Sequence, residues 1–309
     1  MSAWPTLDGA APKIIAHRGA SGLRPEHTLP AYRLAIAQGA DIIEPDLVPS
    51  LDGVLFARHE RGLGHSTDIA RRPEFAAQVQ MLDDGRKDWL AERLNSREIE
   101  QLRALQPFPG RDPGFDAQFG IPRFDQVIAL AREQWTQGHP LGVYPEIKHP
   151  NELRDAGIDA TGLLIAALRQ LAVTGSDSPV WVQCFERWPL QRVKQDCGNP
   201  VFALFEAEAI GAGDWLRRLR QLAPWLDGVA LPKAALIGPQ GDPDLTVQAH
   251  DLGWQVHVWT LRDDAVMAGF DTVQQEYAAL FEQGVDALFC DFPDSAVAAR
   301  NAFSGACDA

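Results

Sequence analysis

The sequence predicts an α/β fold, because eight short apolar runs rich in β-branched and aromatic residues alternate with segments of helical character. Near-continuous apolar strands between helices are typical of a parallel sheet covered on its outside by helices. With eight strands, the closed (β/α)8 TIM barrel is the leading architecture, and it reaches about 250 residues as one domain. The runs lie at 14–18, 41–47, 142–147, 180–185, 201–205, 227–232, 256–260 and 287–292.

Seven helices are predicted between these strands. The first is the best delimited, because Thr28 can cap its N-terminus, Pro30 fits its first turn and Gly39 follows its last residue. The seven segments lie at about 29–38, 124–137, 159–171, 186–196, 214–223, 243–251 and 271–283.

A ninth apolar run, at 54–59, interrupts the alternation because only the segment VPSLDG separates it from the second strand. A parallel crossover needs about a dozen residues or more, whereas Asp52-Gly53 favours a tight hairpin turn. The spacing therefore predicts an antiparallel hairpin with a four-residue turn at 50–53.

The predicted register of this hairpin pairs Glu44 with His59 and Asp46 with Ala57. Because side chains alternate along a strand, Glu44, Asp46 and His59 would then share one face. A register shifted by one residue would move His59 to the opposite face.

Residues 60–122 contain no strand candidate. One helix is predicted at 96–105, where Asn95 and Glu98 have the spacing of a capping box. The rest of the segment is predicted to be an irregular insertion over the mouth of the barrel, so the chain is interpreted as a single domain, 1–309, with one insertion.

The charge balance excludes some partners. The net charge is −14, from 42 acidic and 28 basic residues, which disfavours nucleic acid and anionic bilayers. No run of about 18 uncharged apolar residues predicts a transmembrane span. The first twelve residues lack the features of a signal peptide, which favours the cytoplasm; a periplasmic location stays open if a signal peptide has been removed.

The four cysteines, Cys184, Cys197, Cys290 and Cys307, form no C-x-x-C pair. Their wide spacing disfavours a zinc ribbon or a disulfide framework. Cys184 and Cys290 lie in apolar runs and are interpreted as buried, inert thiols.

Ligands of such barrels bind at the C-terminal ends of the strands, where Glu44, Asp46 and Glu146 fall in this sequence. Three converging carboxylates are costly unless a cation neutralises them, and oxygen ligands suit Ca²⁺ or Mg²⁺ better than Zn²⁺. These three are the candidate metal ligands. The alternative is that one or two of them form internal ion pairs with Arg18 or Lys148.

Two histidines, His17 and His59, fall near the same end of the barrel. Their ordinary pKa lies near neutrality, so they are candidates for general acid and base. A lone histidine at a strand end is more often a hydrogen-bonded core residue, but the clustering with three carboxylates favours catalysis. Direct zinc ligation by the two histidines is an alternative that the excess of carboxylates disfavours.

Five further strand-end residues are candidates for substrate binding. Arg18 and Lys148 are the cations that an anionic phosphate would need. Trp259 is a candidate for stacking on the substrate, although a tryptophan in an apolar strand is often core. Gln183 and Phe185 end the fourth strand beside them.

These residues resemble the motifs of the glycerophosphodiester phosphodiesterase family, and most closely its larger bacterial type with an insertion. Single motifs are weak signals, but the set is specific, because it runs in family order over nearly the whole chain. The motifs are HRGASGLRPEHT at 17–28, GADIIEPDL at 39–47, ARHE at 57–60 after the Asp-Gly turn, YPEIK at 144–148, VQCF at 182–185, VWT at 258–260 and LFCDFPD at 288–294.

The resemblance implies a barrel that holds one divalent cation through Glu44, Asp46 and Glu146. It also implies that His17 and His59 serve as acid and base.

Arg18 and Lys148 match the family's phosphate contacts. Two positions depart from the family pattern: His27 stands where the family usually has Asn, and Glu60 stands where it usually has Asp. Both are neighbours of implied catalytic positions, so they put the orientation of these groups and the pH optimum in question.

The implied activity is metal-dependent hydrolysis of glycerophosphodiesters, such as glycerophosphocholine, to sn-glycerol 3-phosphate and an alcohol. The nucleophile, water or the neighbouring glycerol hydroxyl, stays open, as does the division of acid and base between the histidines. One alternative is a phospholipase-D-like hydrolase of lysophospholipids or sphingomyelin, whose acyl chain would need an apolar patch. Another is a binding barrel without turnover. The candidate residues for that patch are Phe75, Trp89, Phe108, Phe115 and Phe119.

Overall fold

The eight apolar runs form a parallel barrel in the computed structural model, which describes residues 4–82, 85–210 and 214–307. Two of the predicted strands are each divided in two by a proline, and four short strands lie in hairpins. In chain order the strands are β1 Lys13–His17, β2 Ile42–Glu44, β3 Asp46–Pro49, β4 Leu55–Ala57, β5 Gln80–Met81, β6 Lys87–Asp88, β7 Gly142–Val143, β8 Glu146–Ile147, β9 Val182–Cys184, β10 Val201–Leu204, β11 Gly228–Pro232, β12 Gln255–Leu261 and β13 Ala287–Cys290.

Closure of the barrel depends on the two divided strands. The ladder between them continues across the breaks, because Tyr144 N donates to Ile43 O at 2.9 Å and Glu146 N donates to Pro45 O at 3.0 Å. Strand β13 pairs in parallel with β1, and strands β9 to β12 lie in order between β8 and β13, which closes the barrel. The predicted TIM barrel is therefore confirmed.

The predicted helices are present to within a few residues at each end. At the first, Thr28 Oγ1 accepts a hydrogen bond from Ala31 N, and Gly39 leaves the helix with φ +90°. None of the helices in the described part of the chain has the length and apolarity needed to cross a bilayer. The helices are α1 Leu29–Ala37, α2 Ser96–Gln101, α3 Phe124–Thr136, α4 Pro150–Asp155, α5 Ala160–Gln170, α6 Arg187–Cys197, α7 Trp215–Leu222, α8 Ala234–Ile237, α9 Leu245–His250, α10 Val273–Glu282 and α11 Pro293–Cys307.

The antiparallel hairpin is present, but its predicted register is wrong by one residue. Strand β4 pairs with β3 so that Leu47 faces Ala57, and the turn is a three-residue loop, 51–53. Gly53 adopts φ +79° there, which a glycine tolerates at little cost. Pairing ends at Ala57, so the ladder does not fix the face of His59, and that residue reaches the barrel mouth from the following loop.

The insertion has its own apolar cluster and more regular structure than predicted. Strands β5 and β6 form a small antiparallel ladder where no strand was expected. The capping box at Asn95 is confirmed. Helix α2 ends at Gln101 rather than at 105, because Leu102 is extended and Ala104 N donates to Phe119 O at 2.8 Å.

The insertion packs onto the C-terminal mouth of the barrel. The side chains of Gln106 and Arg111 both donate to Ser21 O in the loop after β1, each at 3.2 Å. Deeper in the barrel, Tyr144 OH lies 2.9 Å from His257 Nδ1 within a cluster of aromatic rings, which includes Phe202. This filled interior leaves the mouth as the place for a ligand.

Three cysteines of the described residues are free and buried, as predicted for Cys184 and Cys290. Burial raises the pKa of the Cys184 and Cys290 thiols well above the ordinary value, so both stay protonated and unreactive near neutral pH. The third is Cys197; the side chain of Cys307 lies outside what the structure describes.

Candidate functional site

A cavity of about 240 Å³ opens at the C-terminal ends of the barrel strands. Nine of the ten predicted site residues line it, and the tenth, Asp46, lies against two of them. The sequence motifs, spread over some 240 positions, thus converge on one place. The nine are His17, Arg18, Glu44, His59, Glu146, Lys148, Gln183, Phe185 and Trp259, and the other lining residues are Leu204, Glu206, Thr260, Arg262 and Phe289.

Three carboxylates form the floor of the site. One oxygen from each of Glu44, Asp46 and Glu146 lies within 4.8 Å of the others, and all three residues are buried. Glu44 ends β2 and Asp46 begins β3, and the strand period of two places both side chains on the inner face. Glu146 begins β8 directly opposite Asp46 in the parallel ladder.

These carboxylates cannot all carry a full charge without help. Burial, reinforced by the charges of Asp46 and Glu146, raises the pKa of Glu44 well above its usual range. Burial also raises the pKa of Glu146 to about 8, although Lys148 opposes the shift. Burial favours neutral Asp46 as well, but Lys148 and the hydrogen bond from His27 hold the pKa of Asp46 well below its usual range.

The ion pairs foreseen as an alternative do form, but they do not neutralise the cluster. Lys148 Nζ lies 2.9 Å from Glu146 Oε1, and Arg18 Nε lies 3.3 Å from Asp46 Oδ2. Glu44 has no cationic side chain in ion-pair range among the described residues and instead accepts from Arg18 N and from Gln183 Nε2. Two cations therefore face three carboxylates.

The donor set fits a hard divalent cation. In the described part of the chain, the converging group of potential ligands consists of carboxylates alone, with no histidine or cysteine. Three anionic oxygen donors at one point suit Ca²⁺ or Mg²⁺, and a bound cation would remove the repulsion that raises the pKa of Glu44 and Glu146. The chemistry argues against zinc held by His17 and His59.

Arg18 is held rigidly beside the carboxylates. Its backbone has φ +59°, a left-handed conformation, and its NH1 donates to Glu26 Oε2 at 2.8 Å. Despite burial, the charge of Arg18 lowers the pKa of Glu26 to about 2, so this pair stays ionised. Glu26 is not among the residues predicted from the sequence to belong to the site, although it directly precedes His27 in the first motif.

His17 has a defined tautomer, assigned from its partners. Its Nε2 accepts from Arg18 Nε at 3.2 Å, so Nδ1 carries the proton and donates to Asp291 Oδ1 at 2.7 Å. Burial and the neighbouring Arg18 lower the pKa of His17 below 6.5, against the opposing effect of Asp291. The ring is therefore neutral near pH 7, with its lone pair on Nε2.

His59 also lines the cavity, and a different carboxylate, that of Glu60, supports it. Its Nδ1 lies 2.7 Å from Glu60 Oε1, and the other oxygen of Glu60 lies 3.5 Å from His149 Nε2. Hydrogen bonds with His149 and His59 lower the pKa of Glu60 well below its usual range. Glu60, one of the two departures from the motif pattern, thus contacts His59 and supports it.

The second departure, His27, supports a carboxylate. The residue is fully buried, with Nε2 2.9 Å from Asp46 Oδ2 and Nδ1 2.9 Å from Tyr32 OH. Burial lowers the pKa of His27 to about 4, so the neutral ring donates one hydrogen bond to Asp46, as an amide side chain would.

Three residues predicted to bind substrate, Gln183, Phe185 and Trp259, have different neighbours in the cavity. Gln183, predicted to bind substrate, donates to Glu44 Oε1 at 3.1 Å. Phe185 and Trp259 meet edge to face with ring centres 6.2 Å apart, and Lys148 Nζ lies 5.9 Å from the Phe185 ring centre. These rings form one wall of the cavity.

Several supporting residues were not predicted. Asp291, which holds His17, directly follows the last strand, and that strand-end position is the signal that could have assigned it a role. Arg111 and Arg262 both contact Asp291, but nothing in their local sequence indicates it. Glu206 follows the β10 strand run by two residues and lines the cavity.

Known proteins resemble this chain in sequence and in fold. The sequence model of the "Glycerophosphoryl diester phosphodiesterase family" matches residues 17–295. A glycerophosphodiester phosphodiesterase of Arabidopsis thaliana is 29% identical, over 94% of this chain and 86% of its own, and one of Haemophilus influenzae is 28% identical, over 92% and 88%. The fold matches an Oleispira antarctica phosphodiesterase, solved in complex with the product sn-glycerol-3-phosphate, with a TM-score of 0.70 and 22% identity over 96% of this chain and 99% of that one.

We predict that Ca²⁺ or Mg²⁺ stabilises the protein through the three carboxylates. At a cation concentration about 100 times the Kd, the free energy of unfolding rises by about 2.7 kcal/mol. In Asp46→Asn this stabilisation is lost, whereas the exposed control Glu133→Gln keeps it. Thermal unfolding with and without cation measures the effect; equal stabilisation of Asp46→Asn and wild type would contradict the assignment.

Proposed function

This chain belongs to the glycerophosphoryl diester phosphodiesterase family, and on that premise we propose that it uses one divalent cation and a histidine pair to hydrolyse diesters such as glycerophosphocholine. It is a glycerophosphodiester phosphodiesterase, a phosphoric diester hydrolase. The observation that carries the proposed mechanism is the convergence of three buried carboxylates, two cations and two histidines on one cavity. The proposed products are sn-glycerol 3-phosphate and an alcohol.

The cation would be held by Glu44, Asp46 and Glu146. When bound, it supplies positive charge to the phosphoryl oxygens as charge develops in the transition state. The supporting hydrogen bonds from Gln183 and His27 hold two of these carboxylates in place and exclude alternative rotamers. We propose Ca²⁺ or Mg²⁺, because all three donors are carboxylate oxygens.

Arg18 and Lys148 would bind the phosphate. Each guanidinium or ammonium group is tethered to a site carboxylate and lines the cavity, so it is already in place when the diester arrives. Such preorganised charge needs no reorganisation during the reaction, and in a chain of net charge −14 it supplies the local attraction for an anion.

His17 is proposed as the general base and His59 as the general acid. Nε2 of the neutral His17 accepts the proton of the attacking hydroxyl, which is water or the adjacent glycerol hydroxyl, as the new P–O bond forms. The hydrogen bond that Arg18 Nε donates to Nε2 breaks beforehand, when the diester binds and the guanidinium turns to the phosphate. His59 gives a proton to the leaving alcohol oxygen as the old P–O bond breaks. The carboxylate of Glu60, 2.7 Å from His59 Nδ1, orients the ring for this transfer.

The assay is release of glycerol 3-phosphate from glycerophosphocholine. We expect His17→Gln and His59→Gln each to lower kcat about 10²- to 10⁴-fold, and His139→Gln, an exposed control on the outer face, to leave kcat unchanged. Chelation should abolish turnover of the wild type. Full turnover in excess chelator would refute the proposal.

A cyclic phosphate product would identify the glycerol hydroxyl as the nucleophile. Loss of the acidic or basic limb of the pH profile in a histidine variant would identify that histidine's role.

The lysophospholipid alternative has little support in the insertion. Phe75 is buried, and Trp89, Phe108, Phe115 and Phe119 are all at least partly buried. The aromatic residue among the exposed large hydrophobic side chains of the described chain is Phe185, inside the cavity itself. An acyl chain would therefore find no apolar patch built by the insertion's aromatic residues.

A cationic alcohol such as choline is the proposed leaving group. The cavity wall combines the rings of Phe185 and Trp259 with the carboxylate of Glu206, a set that suits a quaternary ammonium group. The cations in the same wall, Lys148 and Arg262, are already ion-paired. Glu206 forms no ion pair with another described residue, so its charge remains available.

We predict that Glu206→Gln raises KM for glycerophosphocholine about 2- to 5-fold, the value of an exposed ion pair. KM for glycerophosphoglycerol, whose leaving alcohol is uncharged, should not change. Glu208→Gln, on the same loop but outside the cavity lining, is the matched control. Equal changes in KM for both diesters would contradict the role of Glu206.

A further inference from the structure

The carboxylate of Asp291 is fully buried behind His17 and lies outside the cavity lining. Its Oδ1 accepts from His17 Nδ1 at 2.7 Å. Its Oδ2 accepts from Arg111 NH2 at 2.5 Å and lies 3.1 Å from Arg262 Nε. Any effect of Asp291 on the substrate must therefore pass through the two cavity-lining side chains that it contacts, His17 and Arg262.

Arg111 comes from the insertion, not from a barrel strand, and its side chain is only 3% exposed. Its guanidinium makes two contacts with Asp264, at 2.7 and 3.2 Å, and donates to Ser21 O at 3.2 Å. The ring of Phe108, also in the insertion, stacks on it with the ring centre 4.2 Å from Cζ. One side chain thus joins the insertion to the loop after β1, the loop after β12 and the end of β13.

The charge balance explains why Asp291 needs this partner. A buried carboxylate without enough cationic partners is costly, and it would lower that cost by rotating toward whatever donors remain. Without Arg111, the partners left are His17 and the partly exposed Arg262. Arg111 fixes Oδ2, and because the carboxylate is planar and rigid, it fixes Oδ1 toward His17 as well.

We propose that Arg111 is a positioning residue for the reaction: by fixing Asp291, it holds the His17 ring with Nδ1–H directed at Oδ1 and with Nε2 at the cavity, beside Arg18 Nε. The docked insertion therefore completes the catalytic site. This inference rests on the proposed role of His17 as the general base. The competing explanation is that Arg111 only anchors the insertion, through Asp264 and Ser21.

A double-mutant cycle separates the two explanations, because residues that act through one another are not additive. We expect Arg111→Met to lower kcat about 10- to 100-fold, as misplacement of a catalytic group by about 1 Å does, with KM changed less than about 2-fold. In an Asp291→Asn background, the same substitution should lower kcat less than about 2-fold further. Arg111→Lys keeps the positive charge but has a single nitrogen to donate hydrogen bonds, so it should give an intermediate kcat.

Asp264→Asn is the matched control, because it removes the charge and one of the two acceptor oxygens that Arg111 contacts there, without touching Asp291. Its kcat should fall less than about 3-fold if positioning through His17 is what matters. Stabilisation by the cation, measured by thermal unfolding, confirms that each variant is folded with an intact carboxylate cluster.

Three results would overturn the inference: unchanged kcat in Arg111→Met, an equal loss in the wild-type and Asp291→Asn backgrounds, or an equal loss in Asp264→Asn. These are distinct from failure of the proposed function, which would show as full kcat in His17→Gln.

Discussion

The structure depends on one electrostatic constraint, which is the burial of three carboxylates, Glu44, Asp46 and Glu146, within 4.8 Å of one another. Burial removes these groups from water, and like charges at this distance repel, so the pKa of Glu44 and of Glu146 is raised. A cation converts the repulsion into attraction. The arrangement is costly as a structural feature and useful as a ligand set, which is why we interpret it as the centre of the function.

The rest of the mouth is built to hold that cluster in one geometry. Arg18, His27 and His149 all have positive φ, between 49° and 59°, a conformation that costs non-glycine residues about 1–3 kcal/mol in strained cases. The contacts around Arg18 and His27 offset that cost. Arg18 N donates to Glu44 at 2.9 Å, and His27 N donates to Arg18 O at 3.0 Å. The loop after β1 thus places Arg18, the proposed phosphate contact, close to His27, which supports Asp46.

Much of this could be predicted from the sequence, because hydrophobic periodicity and strand-end chemistry are local signals. The barrel, its strand order and nine of the ten site residues at the cavity follow from those signals and from the motifs. The hairpin register could not be fixed, because a three-residue loop at 51–53 and a four-residue turn suit the same Asp-Gly pair. The end of α2 was missed since Ala104 pairs with Phe119, a tertiary contact.

The supporting residues were harder to predict than the reacting ones. Arg111 lies 180 positions from its partner Asp291, and no local pattern connects them. The same holds for His149 and Glu60, which meet only because α4 and the hairpin share the mouth. Sequence motifs identify the groups that we propose contact the substrate, whereas the groups that orient them are visible only once the fold is known.

The central claim is that the three carboxylates bind one cation, and anomalous diffraction from a crystal soaked in Ca²⁺ tests it most directly. The account predicts one strong peak with oxygens of Glu44, Asp46 and Glu146 at about 2.3–2.6 Å. A peak ligated by His17 or His59, or no peak between the three carboxylates, would contradict it.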